Sequence, residues 1–262
     1  HSILAHIHNA DDKAIVVMPT GTGKTETMLA TLVSNCCEKL LVSVPSDSLR
    51  TQIAQKFITL GLLKEYGIVD SSCTNPIVGI INSGFDTTQD LQDFVDKCNV
   101  VVSTMNLFTA FSIQPKTILN NSFSHFFVDE AHRSYNVHGE FFKNLMTCDS
   151  NGIYIAMTGT PLLTKKERSN LKFGDYIHKY FYDKSIADGY TLRIKKEQID
   201  TAAKAEIKEN LDIENQNLDS KDVYESDDYV EGVSKYIEKD FRQFRLVNTD
   251  NTIGGMIVCR SN

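Results

Sequence analysis

Ala14-Ile15-Val16-Val17 is followed at once by Met18-Pro19-Thr20-Gly21-Thr22-Gly23-Lys24-Thr25, and then by Glu26-Thr27-Met28-Leu29-Ala30-Thr31-Leu32. The first run reads as a buried strand and the last as a helix. A strand, a glycine-containing turn and a helix opening on Lys-Thr form a phosphate-binding loop. Gly21 and Gly23 let the backbone curl so that its N–H groups converge on an anion. The helix N-terminus adds partial positive charge at the same place. Thr20, Gly21, Thr22, Gly23, Lys24 and Thr25 are therefore the candidate nucleotide-binding residues. Lys24 can reach the β- and γ-phosphates, and the Thr25 hydroxyl can ligate Mg²⁺. The strict pattern asks for glycine at the first position, where this chain has Met18.

Two further strand ends carry matching chemistry. Phe126-Phe127-Val128 runs into Asp129-Glu130-Ala131-His132. Where such a loop binds a nucleotide, the first carboxylate, Asp129, can hold Mg²⁺, and the second, Glu130, can orient and activate an attacking water. Ile153-Tyr154-Ile155-Ala156-Met157 runs into Thr158-Gly159-Thr160-Pro161. Thr158 and Thr160 are expected to place hydroxyls near the γ-phosphate. Lys24, Asp129, Glu130, His132, Thr158 and Thr160 make up the candidate catalytic set, with Thr25 and Asp129 as metal ligands.

The order of these motifs resembles that of superfamily 2 helicases and DNA translocases. Thr20–Thr25 matches the family's motif I, Asp129–His132 a DEAH-type motif II, and Thr158–Pro161 motif III. Val44-Pro45-Ser46-Asp47-Ser48-Leu49-Arg50-Thr51-Gln52 looks like motif Ia, and Val101-Val102-Ser103-Thr104-Met105-Asn106-Leu107 like the later backbone-contacting motif. The resemblance implies that Pro45, Ser46, Arg50 and Thr104 contact DNA. Read as local structure alone, each is a strand followed by a capped helix, with Ser46 or Asp47 as the N-cap.

Phe173-Gly174-Asp175-Tyr176-Ile177 and Tyr182-Asp183-Lys184-Ser185-Ile186-Ala187-Asp188-Gly189-Tyr190 narrow the likeness. Up to about Thr201 the chain resembles the motor segment of the restriction subunit of type I restriction-modification enzymes. That resemblance implies ATP and Mg²⁺ as cofactors and double-stranded DNA as partner. It also implies modification and specificity subunits, and a nuclease domain elsewhere. Another superfamily 2 motor, a repair helicase or a type III restriction subunit, is the alternative within enzymes. A nucleotide-dependent scaffold without turnover is the alternative outside them, and Glu130 argues against it. In the family, opposing arginines come from a second domain and a glutamine upstream reads adenine. The expected places for both fall outside His1–Asn262.

The β-like runs Ala14–Met18, Leu40–Val44, Ile77–Ile80, Val100–Ser103, His125–Val128 and Ile153–Met157 alternate with helical stretches. That alternation predicts an α/β fold, a RecA-like domain with a parallel sheet and helices on both faces. The expected division is residues 1–180 as the ATP-binding motor domain. Residues 181–262 are then a linker and the incomplete start of a second RecA-like domain. Leu192-Arg193-Ile194-Lys195 would open that second domain and Met256-Ile257-Val258-Cys259 would supply a core strand. An acidic insertion is expected at about 202–240, with a loop near Asn215–Ser220.

Composition sets outer limits. Of 262 residues 41% are hydrophobic, ample for one full core. No run approaches the ~18 apolar residues of a membrane span. The opening residues lack the basic start and cleavage site of a signal peptide, and beginning on His1 is expected of a piece of a longer protein. The six cysteines have no Cys-x-x-Cys spacing and read as reduced cytoplasmic thiols. His6 and His8 diverge on a helix, which disfavours a metal site. The net charge of −7 argues against a broad nucleic-acid surface and leaves room only for a local basic track. Asp200 with Glu206-Ile207-Lys208 superficially echoes a nuclease pattern, but the spacing is short and the context is a charged helix.

Overall fold

A computed structural model of the chain describes residues 1–9, 13–110, 113–132, 152–161, 174–193 and 227–249. The expected strand at Met256–Cys259, the loop near Asn215–Ser220 and the Asp200–Lys208 pattern lie outside the described residues. Contacts divide the chain into a unit His1–Arg193 and a unit Ile194–Asn262.

The first unit is built on a seven-stranded sheet. Its strands are β1 (Ala14–Val17), β2 (Leu40–Val44), β3 (Val78–Ile80), β4 (Val100–Thr104), β5 (His125–Val128), β6 (Ile153–Thr158) and β7 (Asp175–Lys179). They lie side by side in the order β3-β4-β2-β5-β6-β1-β7. Every neighbouring pair is parallel. β1, β2 and β4 are buried along their whole length. They read as near-continuous Val/Ile/Leu runs because a parallel sheet is covered on both faces.

The covering helices are α1 (Ser2–Asn9), α2 (Lys24–Ser34), α3 (Asp47–Thr59), α4 (Gly61–Glu65), α5 (Thr88–Lys97), α6 (Met105–Ala110), α7 (Ile113–Ser122) and α8 (Tyr182–Ala187). One core joins Ala14, Val16, Val42, Val44, Val102, Phe127 and Ile155 with Ile3 of α1, Met28 and Leu29 of α2, Phe57 of α3 and Leu63 of α4. The other joins Ile15, Val17, Leu41, Val101, Phe126 and Ala156 with Leu91 and Val95 of α5 and Leu119 of α7. Alternate residues of one strand thus feed opposite cores, as the two-residue period of a strand requires. The RecA-like α/β architecture expected from the alternation is the one observed.

β7 is the strand that the hydrophobic pattern did not single out. Among the described strands it lies at the edge of the sheet, paired with β1 and with a register irregularity between Ile15 and Val16. Its residues are half-buried or exposed. Of the second unit the described part is α9 (Asp227–Asn248), laced by Glu231–Lys235 and Glu238–Arg242 ion pairs one turn apart. No helix among the described residues is long and apolar enough to cross a membrane.

Candidate functional site

β1, β6 and β5 are neighbours in the sheet, so the turns that follow them converge at one carboxyl edge. Open α/β sheets bind ligands at such an edge. Gly21 and Gly23 sit at φ 83° and 95°, in the left-handed region where a side chain is strained. A methyl group built on either would meet open space, so the glycines answer to backbone shape and not to crowding. The Thr22 hydroxyl donates to the Pro19 carbonyl at 2.7 Å and holds the loop closed on itself. α2 then begins at Lys24 with Gly23 as N-cap, which has no side chain to cap the first turn. A helix whose leading N–H groups lack a side-chain cap is suited to an anion. A cavity of about 510 Å³ adjoins this turn, lined by Thr22, Gly23, Glu26 and Thr27 together with His1 and Ile3.

Lys24 is buried, and its Nζ donates to Glu130 Oε1 at 2.7 Å. The phosphate loop and the β5 turn are therefore in direct contact. Asp129 is 5% exposed, and its N–H donates to the Ser43 carbonyl of β2 at 2.9 Å. Its Oδ1 accepts the Glu130 N–H at 3.0 Å. Burial pushes the Asp129 carboxyl up to about 6; the Lys24 ammonium works against that rise and Glu130 adds to it. A buried, poorly solvated carboxylate calls for a cation. With the Thr25 hydroxyl it would supply hard oxygen donors of the kind Mg²⁺ prefers, few in number because that ion keeps several waters and substrate phosphates. The residues present fit Mg²⁺ on that ground.

Glu130 adopts φ 48°. Left-handed backbone at a non-glycine residue costs on the order of 1 kcal/mol or more and gathers at functional sites. Here it accompanies a carboxylate with two partners. Oε1 faces Lys24, and Oε2 lies 3.4 Å from His132 Nδ1. His132 Nδ1 also shares a hydrogen bond with Thr158 Oγ1 at 2.9 Å. Thr158 Oγ1 accepts the Thr160 N–H at 3.1 Å. Lys24, Glu130, His132, Thr158 and Thr160 are thus joined in one polar chain across three strand ends. Thr158 is fully buried and its hydroxyl is already engaged, whereas Thr160 is exposed.

Sequence reasoning passed over Gly159. A Cβ there would lie 3.2 Å from the Met18 carbonyl, 3.3 Å from Pro19 Cα and 3.4 Å from the Thr20 nitrogen. The Met18 N–H also donates to the Thr158 carbonyl at 3.0 Å. A side chain at this position would oblige the phosphate loop to give by a few tenths of an ångström, so glycine lets the β6 turn lie this close. The signal was a glycine between two threonines at a strand end.

The residues considered for nucleic acid gather elsewhere on the same edge. β2 and β4 are neighbours, and Val44 faces Thr104 across them. Pro45 and Ser46 leave β2 beside that point, and Ser46 occupies the N-cap of α3 without a side-chain cap bond. Arg50 pairs with Asp47 at 2.6 Å, and its Nε is buried without a hydrogen-bond partner. Thr104 is buried, and its hydroxyl accepts the Leu107 N–H at 3.3 Å at the start of α6.

Comparison with known proteins adds context. A family model described as SWI2/SNF2 ATPase matches residues 1–228. A type I restriction enzyme endonuclease subunit of Staphylococcus aureus (strain COL) is 24% identical over 194 residues, 68% of this chain and 21% of that protein. A putative type I restriction enzyme endonuclease subunit of Methanocaldococcus jannaschii is 39% identical over 66 residues, 25% of this chain and 6% of that protein. The chain spans about a fifth of the length of the staphylococcal relative, 21%. Among solved structures, the Pyrococcus furiosus Hef helicase domain superposes with a TM-score of 0.51 over 96% of this chain and 54% of its own, at 14% identity. That likeness is one of fold.

Proposed function

The chain belongs to the SWI2/SNF2 ATPase family, and on that premise we propose that it is the motor segment of a type I restriction endonuclease subunit. In this reading it couples ATP hydrolysis to pumping of double-stranded DNA, and a nuclease domain outside the chain cuts afterwards. The supporting observation is the polar chain from Lys24 through Glu130 and His132 to Thr158, with buried Asp129 beside it. The restriction setting rests on the staphylococcal likeness.

The residues act as follows. The Thr20–Gly23 backbone and the N-terminus of α2 receive the phosphates. Lys24 exchanges Glu130 for the phosphate oxygens, which frees Glu130 to orient a water for attack. Thr25 and Asp129 would hold Mg²⁺, which supplies neutralisation of phosphate charge when bound. A change at Glu130 passes to His132 and Thr158 through their shared contacts. Asp129 is bonded to Ser43, so the same change reaches Val44, Pro45 and Ser46 along β2. Pro45, Ser46 and Arg50 would meet DNA, with buried Thr104 shaping the adjoining β4–α6 turn, and modification and specificity subunits would complete the assembly.

The test uses the full-length protein with its partner subunits. ATP hydrolysis should require duplex DNA carrying the recognition site. A triplex-forming strand should be displaced while the duplex stays intact. Efficient unwinding of a short forked duplex would favour a repair helicase instead. Nucleotide binding without any turnover would favour a scaffold.

A further inference from the structure

The first turn of α2 is held from two sides. Lys24 reaches Glu130 at 2.7 Å, and Glu26 accepts from Lys56 of α3 at 2.6 Å. The second pair has no place in the chemistry derived above. It joins the helix that starts at the phosphate loop to α3, which Ser46 N-caps and whose first turn holds Arg50. Six residues separate Lys56 from Arg50, about 9 Å along α3 at 1.5 Å per residue. Glu26 also lines the cavity beside Thr22 and Gly23.

We propose that the Glu26–Lys56 ion pair is a positioning strut that transmits nucleotide occupancy of the phosphate loop to α3, and so to the nucleic-acid contacts at its N-terminus. This rests on the assignment of nucleotide to Thr20–Thr25 and of nucleic acid to Ser46 and Arg50. The physical argument is one of rigidity. α2 and α3 are stiff elements, and Leu29 of α2 packs closely against Gly61 at the start of α4, just past α3. When Lys24 leaves Glu130, the first turn of α2 loses one tether and keeps the other. The retained tether is the one that ends on α3, so a shift of the turn is carried there. Glu26 and Lys56 side chains are 22% and 36% exposed. The pair is partly buried, so a purely structural role is the competing explanation, and the melting temperature of the variants separates the two.

Coupling between two ligands is reciprocal and is measured directly. In the full-length protein, duplex DNA affinity is measured with and without a non-hydrolysable ATP analogue, and analogue affinity with and without duplex. The two ratios should agree, at about 5-fold or more. Lys56→Gln, outside the cavity lining, should bring the ratio below about twofold while leaving analogue affinity without DNA, and the melting temperature, nearly unchanged; Glu26→Gln should lower the ratio likewise. The exchange Glu26→Lys with Lys56→Glu should restore most of it. Single variants that keep the parental ratio overturn this inference alone. Singles that lower melting temperature and both affinities together, with no rescue by the exchange, assign the pair to structure and overturn it too. A parent protein with no coupling at all overturns the inference together with the motor reading.

Discussion

Lys24 and Glu130 stand 106 positions apart in sequence and meet at 2.7 Å. Each is the other's counter-ion, and each has a different task in the proposed reaction. In that reaction Lys24 would exchange this contact for phosphate oxygens before Glu130 could orient a water.

Removal of the cation tests the phosphate loop. Lys24→Ala should abolish measurable Mg²⁺-ATP binding by calorimetry, since Lys24 is the loop's one side-chain cation. Unchanged affinity would remove the assignment.

Glu130→Gln separates docking from chemistry. In the full-length protein it should cut turnover by roughly 10²–10⁴-fold, the range of a general base. ATP affinity should be at least as tight as in the parent, because Lys24 no longer has a salt bridge to surrender. Parallel loss of affinity and rate would point to a metal-ligand role for Glu130.

Much of this site was legible from the chain. The strands showed themselves because Val, Ile and Leu fill both faces of a covered sheet, and Gly21 and Gly23 marked the loop between β1 and α2. β7 was not legible, since Asp175, His178 and Lys179 leave only Tyr176 and Ile177 as apolar residues on an exposed edge. The left-handed turn at Glu130 and the engagement of the Thr158 hydroxyl were equally out of reach. The Thr158 hydroxyl is engaged partly by His132, 26 positions away, which no local pattern encodes.

The Asp129 carboxyl titrates near 3.8 when unperturbed and at about 6 in the fold. The folded state therefore holds more protons through that window, and stability falls as pH rises across it. Above pH 6 the buried charge is a standing cost, at most about 3 kcal/mol at ~1.4 kcal/mol per unit. Asp129→Asn keeps the acceptor for the Glu130 N–H and removes the charge. In metal- and nucleotide-free protein it should raise the melting temperature at pH 7 and leave it nearly unchanged at pH 4. An equal gain at both pH values would show that the effect is not electrostatic.

Gly159→Ala tests the close approach of the β6 turn. The added methyl would press on the Met18 carbonyl, Pro19 and the Thr20 nitrogen. The phosphate loop must give by a few tenths of an ångström. ATP affinity should fall roughly tenfold, about 1.4 kcal/mol, with circular dichroism unchanged. Parental affinity would mean that the loop moves away freely.

The strand order has a consequence for how the chain is made. β1 precedes the other described strands in the chain, yet its neighbours are β6 and β7, and Ala14 faces Ile155. At ~5–20 residues per second on the ribosome, roughly 7–30 s pass before Ile155 is added. Through that interval Ala14-Ile15-Val16-Val17 lacks both of its described neighbours, β6 and β7. A chain released before Thr158 would keep this apolar run unpaired for good, so nascent fragments of that length are the ones that should need a chaperone.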